Sequence, residues 1–115
     1  MPEVVLSGSG LYAPQAVITN AELVASFNRY VQAYNQEHAA EITAGNLAPL
    51  RESSEEFIVK ASGIKRRHVI DKDNILDIAV MAPRLLERAN NELSLQAEMG
   101  VMAAKQALAK AGQTA

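Results

Sequence analysis

Two long stretches of the chain carry apolar residues at helical spacing, and several short ones carry them consecutively or in alternation. In the first long stretch Leu23, Phe27, Tyr30, Val31, Tyr34, His38 and Ile42 recur every three or four positions, while Asn28, Arg29, Gln32, Gln36 and Glu37 fall off that stripe. Thr19 and Glu22 form a capping box at its start, with Ile18 and Leu23 placed as a hydrophobic staple. The pattern predicts a helix from Asn20 to about Ala44, stopped by Gly45-Asn46, with Leu47-Ala48-Pro49-Leu50 as linker. In the second, Ser94 to Ala111, the stripe Ala97, Val101, Ala104, Leu108 and Ala111 is widened by Leu95, Met99, Met102, Ala103 and Ala107. Lys105, Gln106 and Lys110 mark its exposed side, and Gly112 supplies the stop. So many small residues suit close approach to another backbone, as a helix lying on a sheet or against a copy of itself requires.

The short stretches read differently. Glu3 to Leu6 is expected to be a buried strand leading into a turn at Ser7-Gly8-Ser9-Gly10, and Gln15 to Ile18 to be extended. Ser53 and Glu56 make a second capping box, Glu55 and Glu56 complement the helix dipole, and Gly63 closes a helix of about two turns. So short a helix must dock Phe57, Ile58 and Ala61 on a larger body. Ile64 to Ile70 follows as a strand, its Lys65-Arg66-Arg67-His68 marking a charged rim or the border of a polar cleft. Asp71 to Asn74 reads as a turn, Ile75 to Met81 as a helical turn or an extended piece, and Arg84 to Ala89 as a short helix after Pro83.

Composition narrows the chemistry. The 115 residues amount to one domain or less, and a net charge of -2 offers no general attraction to nucleic acid or an anionic membrane. No cysteine is present, which removes disulfides, thiolate metal sites and a cysteine nucleophile from these residues. The first residues lack the basic and long apolar runs of a signal peptide, and no stretch reaches the length of a membrane span, so a cytoplasmic address is expected. Gly8-Ser9-Gly10 lacks the third glycine of a dinucleotide fingerprint, and Asp71-Lys72-Asp73-Asn74 lacks the sixth-position glycine of a calcium loop. His38 and His68 have no carboxylate at metal-ligand spacing, and no serine is marked as activated, so neither a metal site nor a catalytic residue is assigned. The basic run from Lys65 suits a phosphate or an acidic carrier protein, and equally a solvated edge.

Taken together, Val4 to Pro14 with its Gly-Leu-Tyr-Ala-Pro turn, the Val17-Ile18-Thr19-Asn20-Ala21-Glu22-Leu23 helix start, Ser53 to His68, and Gly100 to Gly112 resemble the N-terminal part of the ketoacyl-acyl-carrier-protein synthase III family of the thiolase superfamily. The resemblance implies an α/β architecture: the N-terminal part of a thiolase-like fold, helix-rich here with two or three short strands. Residues 1–115 would be a partial segment carrying helical insertions at about 24–52 and 71–93. It implies a parent acyltransferase of fatty acid biosynthesis, a cytoplasmic homodimer that condenses an acyl thioester with malonyl-acyl-carrier protein through a cysteine beyond these residues, so that this stretch alone would be inactive. Acyl-CoA and acyl-carrier protein are then substrates, no separate cofactor is implied, and the remainder of the enzyme is the natural partner. Ser53 and Phe57 fall where the family contacts the CoA adenine, with phenylalanine in place of tryptophan. Lys65 and Arg66 keep a basic rim for CoA phosphates or carrier protein, whereas Ala61 stands where close relatives use an arginine. The alternative is a free-standing helical module that self-associates and has no chemistry.

Overall fold

Thr19 ends one element and begins the next, and the architecture grows from that junction. The computed structural model describes residues 2–113, in two bodies, one of residues 14–85 and one combining residues up to 13 with those from 86 onward. In the first, strand β1 (Ala16–Thr19) runs into helix α1 (Asn20–Glu37). Both halves of the expected capping box are formed: the Glu22 amide donates to Thr19 Oγ1 at 3.3 Å, and the Thr19 amide to Glu22 Oε2 at 3.1 Å. The helix breaks at His38 instead of continuing to Ala44. There the imidazole stacks on the Tyr34 ring, centroids 4.2 Å apart, and donates from Nδ1 to the Tyr34 carbonyl at 2.9 Å. A short α2 (Ala39–Thr43) follows, and Gly45 takes a left-handed φ of 77°.

Beyond it lie α3 (Glu55–Ser62), strand β2 (Arg66–Val69) and α4 (Lys72–Leu76). β2 pairs antiparallel with β1, with Ala16 opposite Val69 and Thr19 opposite Arg66. The 24–52 stretch thus carries most of α1, all of α2 and the linker, while the 71–93 stretch holds only the five-residue α4 as helix. No helix forms over 84–89, where Leu85 is 57% and Leu86 92% exposed, because so short a segment has no surface to dock on. Asp71 to Asn74 is no simple turn: Asp71 caps α4, accepting from the Asn74 amide at 3.2 Å.

Asn20 ties the elements of this body together. As the first residue of α1 it has no intrahelical acceptor for its N–H. That N–H continues the sheet ladder to the Lys65 carbonyl at 3.1 Å. Its side-chain amide donates to the Ile64 carbonyl at 2.8 Å and accepts from Arg67 Nη2 at 2.7 Å. Two further asparagines clasp the linker. Asn28 exchanges hydrogen bonds with the Ser53 backbone (2.8 and 3.1 Å), and Asn35 does so with Leu50 (2.9 and 3.0 Å). Seven helical residues rise about 10.5 Å and three extended ones about 10 Å, so the spacings match. Asn28, read as a solvent residue, therefore lies at a contact, and the most buried α1 side chains are Asn20, Ser26 and Val31, off much of the expected stripe.

In the second body, α5 (Leu95–Lys110) is capped by Ser94 and, as the sequence predicts, closed by Gly112 at φ 72°. The expected close approach is made by the N-terminal segment. A Cβ on Gly10 would stand 1.8 Å from the Ala103 carbonyl oxygen, and one on Gly8 2.4 Å from that of Ala107. Extended residues two apart share a face about 6.6 Å apart, close to the roughly 6 Å rise between helix residues four apart. Gln106, assigned to the exposed side, accepts from the Leu11 amide at 2.6 Å. Glu3 to Leu6, in contrast, is not a strand: it pairs with nothing among the described residues, and Val4 (95%), Val5 (74%) and Leu6 (100%) are exposed.

Replacing Asn20 by Ala removes two side-chain hydrogen bonds, one of them to a guanidinium, and should cost about 3 kcal/mol in urea unfolding. Asn20→Asp, which keeps the Arg67 acceptor, should cost less. Gly10→Ala should release residues 2–13 to rapid proteolysis while leaving the melting of the 14–85 body unchanged; protection equal to wild type would contradict the glycine contact.

Candidate functional site

The α3–β2 unit carries the residues singled out from sequence. Ser54, not Ser53, is the helix cap, its Oγ accepting from the Phe57 amide at 3.2 Å. Ser53 is displaced from that role because both its backbone groups are held by Asn28, one residue too early to cap. Gly63 closes α3 at φ 71°, its amide donating to the Val59 carbonyl at 2.7 Å. Of the three side chains expected to dock, only Ile58 is partly covered; Ala61 is exposed and Phe57 is 65% exposed. Phe57 thus offers an aromatic face to solvent. Lys65 and Arg66 are exposed just past the other end of α3. An eight-residue helix is about 12 Å long, so the aromatic face and the basic pair stand roughly a helix length apart and do not form one cluster.

β2 sorts its charges by face. Arg67 shares a face with Val69 and pairs with fully buried Ile18, whereas Arg66 and His68 are exposed. Arg67 Nη1 is buried, and no acceptor among the described residues reaches it. His68 donates from Nδ1 to the Pro14 carbonyl at 2.7 Å, which fixes its tautomer. Neither histidine is near a metal-binding group of side chains among the described residues.

Behind α3 lies a cleft of about 300 Å³ between α1, α3 and α4, lined by Leu23, Val24, Phe27, Ile58, Ile75 and Met81, with Ser26 and Ser53 contributing its polar surface. Ser26 Oγ is already committed to the Leu76 carbonyl at 2.6 Å. Met81 has a left-handed φ of 51°, the one non-glycine residue so placed among those described.

Two carboxylates lock the elements around this cleft. The Lys72 ammonium, 2.9 Å away, and then the Thr19 amide hold the Glu22 carboxyl below its ordinary value. The Asn74 side chain, then the amides of Arg84 and Asn74, hold Asp71 low. Sequence reasoning singled out Ser53, Phe57, Lys65 and Arg66 and passed over the contacts made by Asn20, Asn28, Asn35 and Arg67. The Asn28/Asn35 spacing of two turns was a signal for the clasp; nothing local marked Asn20.

No family model matches the chain. Over 90 residues, 78% of the chain, it is 52% identical to the beta-ketodecanoyl-[acyl-carrier-protein] synthase of Pseudomonas aeruginosa. Those residues make up 26% of that relative, so the chain spans about a quarter of its length. The likeness supports a fragment of a ketoacyl-synthase-like condensing enzyme, and no helix among the described residues is long and apolar enough to cross a membrane.

Because both carboxyls bind protons less readily folded than unfolded, the unfolded chain gains protons first on acidification, and their contribution to stability is lost. The urea midpoint should hold steady above pH 5 and fall as the pH drops below the ordinary values of 4.5 and 3.8. Glu22→Gln should flatten part of that slope; an unchanged slope would contradict the Lys72 pairing.

Proposed function

We propose that the chain is the N-terminal segment of a 3-oxoacyl-acyl-carrier-protein synthase III-like enzyme, in which it forms the leading strand and covering helices of a thiolase-like fold. The observation that carries this reading is the 52% identity over 90 residues to a beta-ketodecanoyl-[acyl-carrier-protein] synthase. In the parent enzyme the acyl group of a thioester moves to a cysteine with release of the donor thiol, and malonyl-acyl-carrier protein loses carbon dioxide to give the carbanion that attacks the acyl carbon and expels the cysteine thiolate. The nucleophile belongs to residues outside this stretch, which contains no cysteine. What these residues contribute is recognition of the thioester carrier.

The exposed Phe57 ring stacks on a nucleotide base, and Lys65 with Arg66, about a helix length away, meets the phosphates of CoA or the acidic face of acyl-carrier protein. Ser53, whose backbone is clasped by Asn28, adds a hydroxyl at the start of the same unit. The stretches 24–52 and 71–93 are insertions that border the acyl site. The enzyme is a cytoplasmic homodimer whose other segments cover Val4, Val5 and Leu6.

Stacking of a base on an aromatic ring is worth about 1–3 kcal/mol. In the polypeptide carrying this segment, Phe57→Ala should therefore weaken acyl-CoA binding by about tenfold or more, and Phe57→Trp should strengthen it. Glutamate at both Lys65 and Arg66 should weaken it further and reduce its salt dependence. Incubation with acyl-CoA and malonyl-acyl-carrier protein should release carbon dioxide and 3-oxoacyl product. A polypeptide that binds neither thioester and yields no product would overturn the reading.

A further inference from the structure

The sheet of the 14–85 body stops at two strands, and its edge along β2 is open. The Asn20 amide donates to the Lys65 carbonyl at 3.1 Å, so Asn20 and Lys65, one step beyond the strands, form a hydrogen-bonded pair in the same antiparallel register. Bonded and unbonded pairs alternate along such a ladder. Ile18–Arg67 and Ala16–Val69 are therefore bonded as well, whereas Thr19–Arg66 and Val17–His68 are not. The Thr19 amide agrees with this, going to Glu22 Oε2 at 3.1 Å instead of across the sheet. The N–H and C=O groups of Arg66 and His68 accordingly point away from β1, and no hydrogen bond among the described residues uses them. Both residues are exposed. The opposite edge of the sheet is closed where Thr19 turns into α1.

Two strands of four residues lack the third that gives a sheet stability of its own. Lys65, Arg66 and Arg67 stand in a row along the open edge, and none of the three is ion-paired among the described residues. Successive side chains alternate between faces, so Arg66 presents charge on one face and Lys65 and Arg67 on the other. A strand laid against this edge meets cations whichever way its own side chains point. A second copy of β2 would set like charges opposite one another, which is unfavourable, whereas acidic residues would form cross-strand pairs. An acidic surface that offered side chains alone would leave the four backbone groups unmet.

We infer that the outer edge of β2 takes up an extended acidic segment of a partner protein as the third strand of this sheet. The backbone of Arg66 and His68 supplies the ladder, and the row of cations sets the preference for acidic residues. None of this rests on the condensing-enzyme reading above.

The test uses the 115-residue chain and a fluorescent peptide of about ten residues, a run of glutamates flanked by valines and threonines, with binding read by anisotropy. Binding should saturate, and lysines in place of the glutamates should abolish it. A strand bonds to its neighbour through every second amide. Of two peptides N-methylated at alternate residues, odd or even, one should therefore lose binding and the other keep it, an asymmetry that attraction between charges alone does not produce. Arg66→Glu should weaken the unmethylated peptide about tenfold, and bound peptide should slow exchange of the Arg66 and His68 amides. The methylated pair is measured on the unaltered chain, so its result stands whether or not the variant folds. Absence of saturable binding, equal behaviour of the two methylated peptides, unchanged affinity in a folded Arg66→Glu chain, or protection of the Arg66 and His68 amides by association of the chain with itself would each overturn the inference.

Discussion

The junction at Asn20 is what the 14–85 body depends on. A helix start leaves N–H groups without intrahelical acceptors, and here one of them extends a two-strand ladder that would otherwise end at Thr19. The Asn20 amide then secures the Ile64 carbonyl and the Arg67 guanidinium, so the stop of α3, the start of β2 and the start of α1 are fixed by one side chain that is 4% exposed. An isolated pair of four-residue strands is marginal in water; continuing it into a capped helix offsets that weakness. Phe57, Lys65 and Arg66 are displayed at the two ends of α3 because this junction and the Asn28 clasp hold those ends.

Polar clasps matter here because apolar burial is small. Ile18 and Val31 are the apolar side chains fully buried among the described residues. The chain exposes 9145 Å². Two compact bodies of its combined mass would expose about 7300 Å², so the excess does not depend on how the bodies are arranged. Much of it is aliphatic, including Val4, Val5, Leu6 and Leu86. Exposed apolar surface of this extent marks faces that other segments or a partner cover, as the proposed parent enzyme would supply.

Elements whose signals are local were legible in the sequence. The Thr19 capping box, the Gly63 stop, β2 with its rim charges and α5 with its Gly112 stop all rest on residues a few positions apart. Features decided by distant residues were not. Ser53 looked like a cap until Asn28 claimed its backbone; Glu3 to Leu6 looked like a strand but found no neighbour to pair with; 84–89 looked helical but found nothing to dock on. The apolar stripe of α1 rotated for a related reason, since Asn28 and Asn35 spend their amides on the linker instead of on water. Of the candidate site, the exposed ring and the basic pair were legible as residue types, while their separation by a helix length required the fold.

Native-state hydrogen exchange of the 115-residue chain tests the account most directly. If side-chain clasps on α1 hold the 14–85 body while the N-terminal apolar run lies uncovered, the amides of Asn20, Leu50 and Ser53 should be protected like those within α1, and those of Val4, Val5 and Leu6 should exchange at the rate of an unfolded peptide. Protection of residues 4–6 equal to that of α1, or free exchange at Asn20 and Ser53 while α1 stays protected, would contradict it.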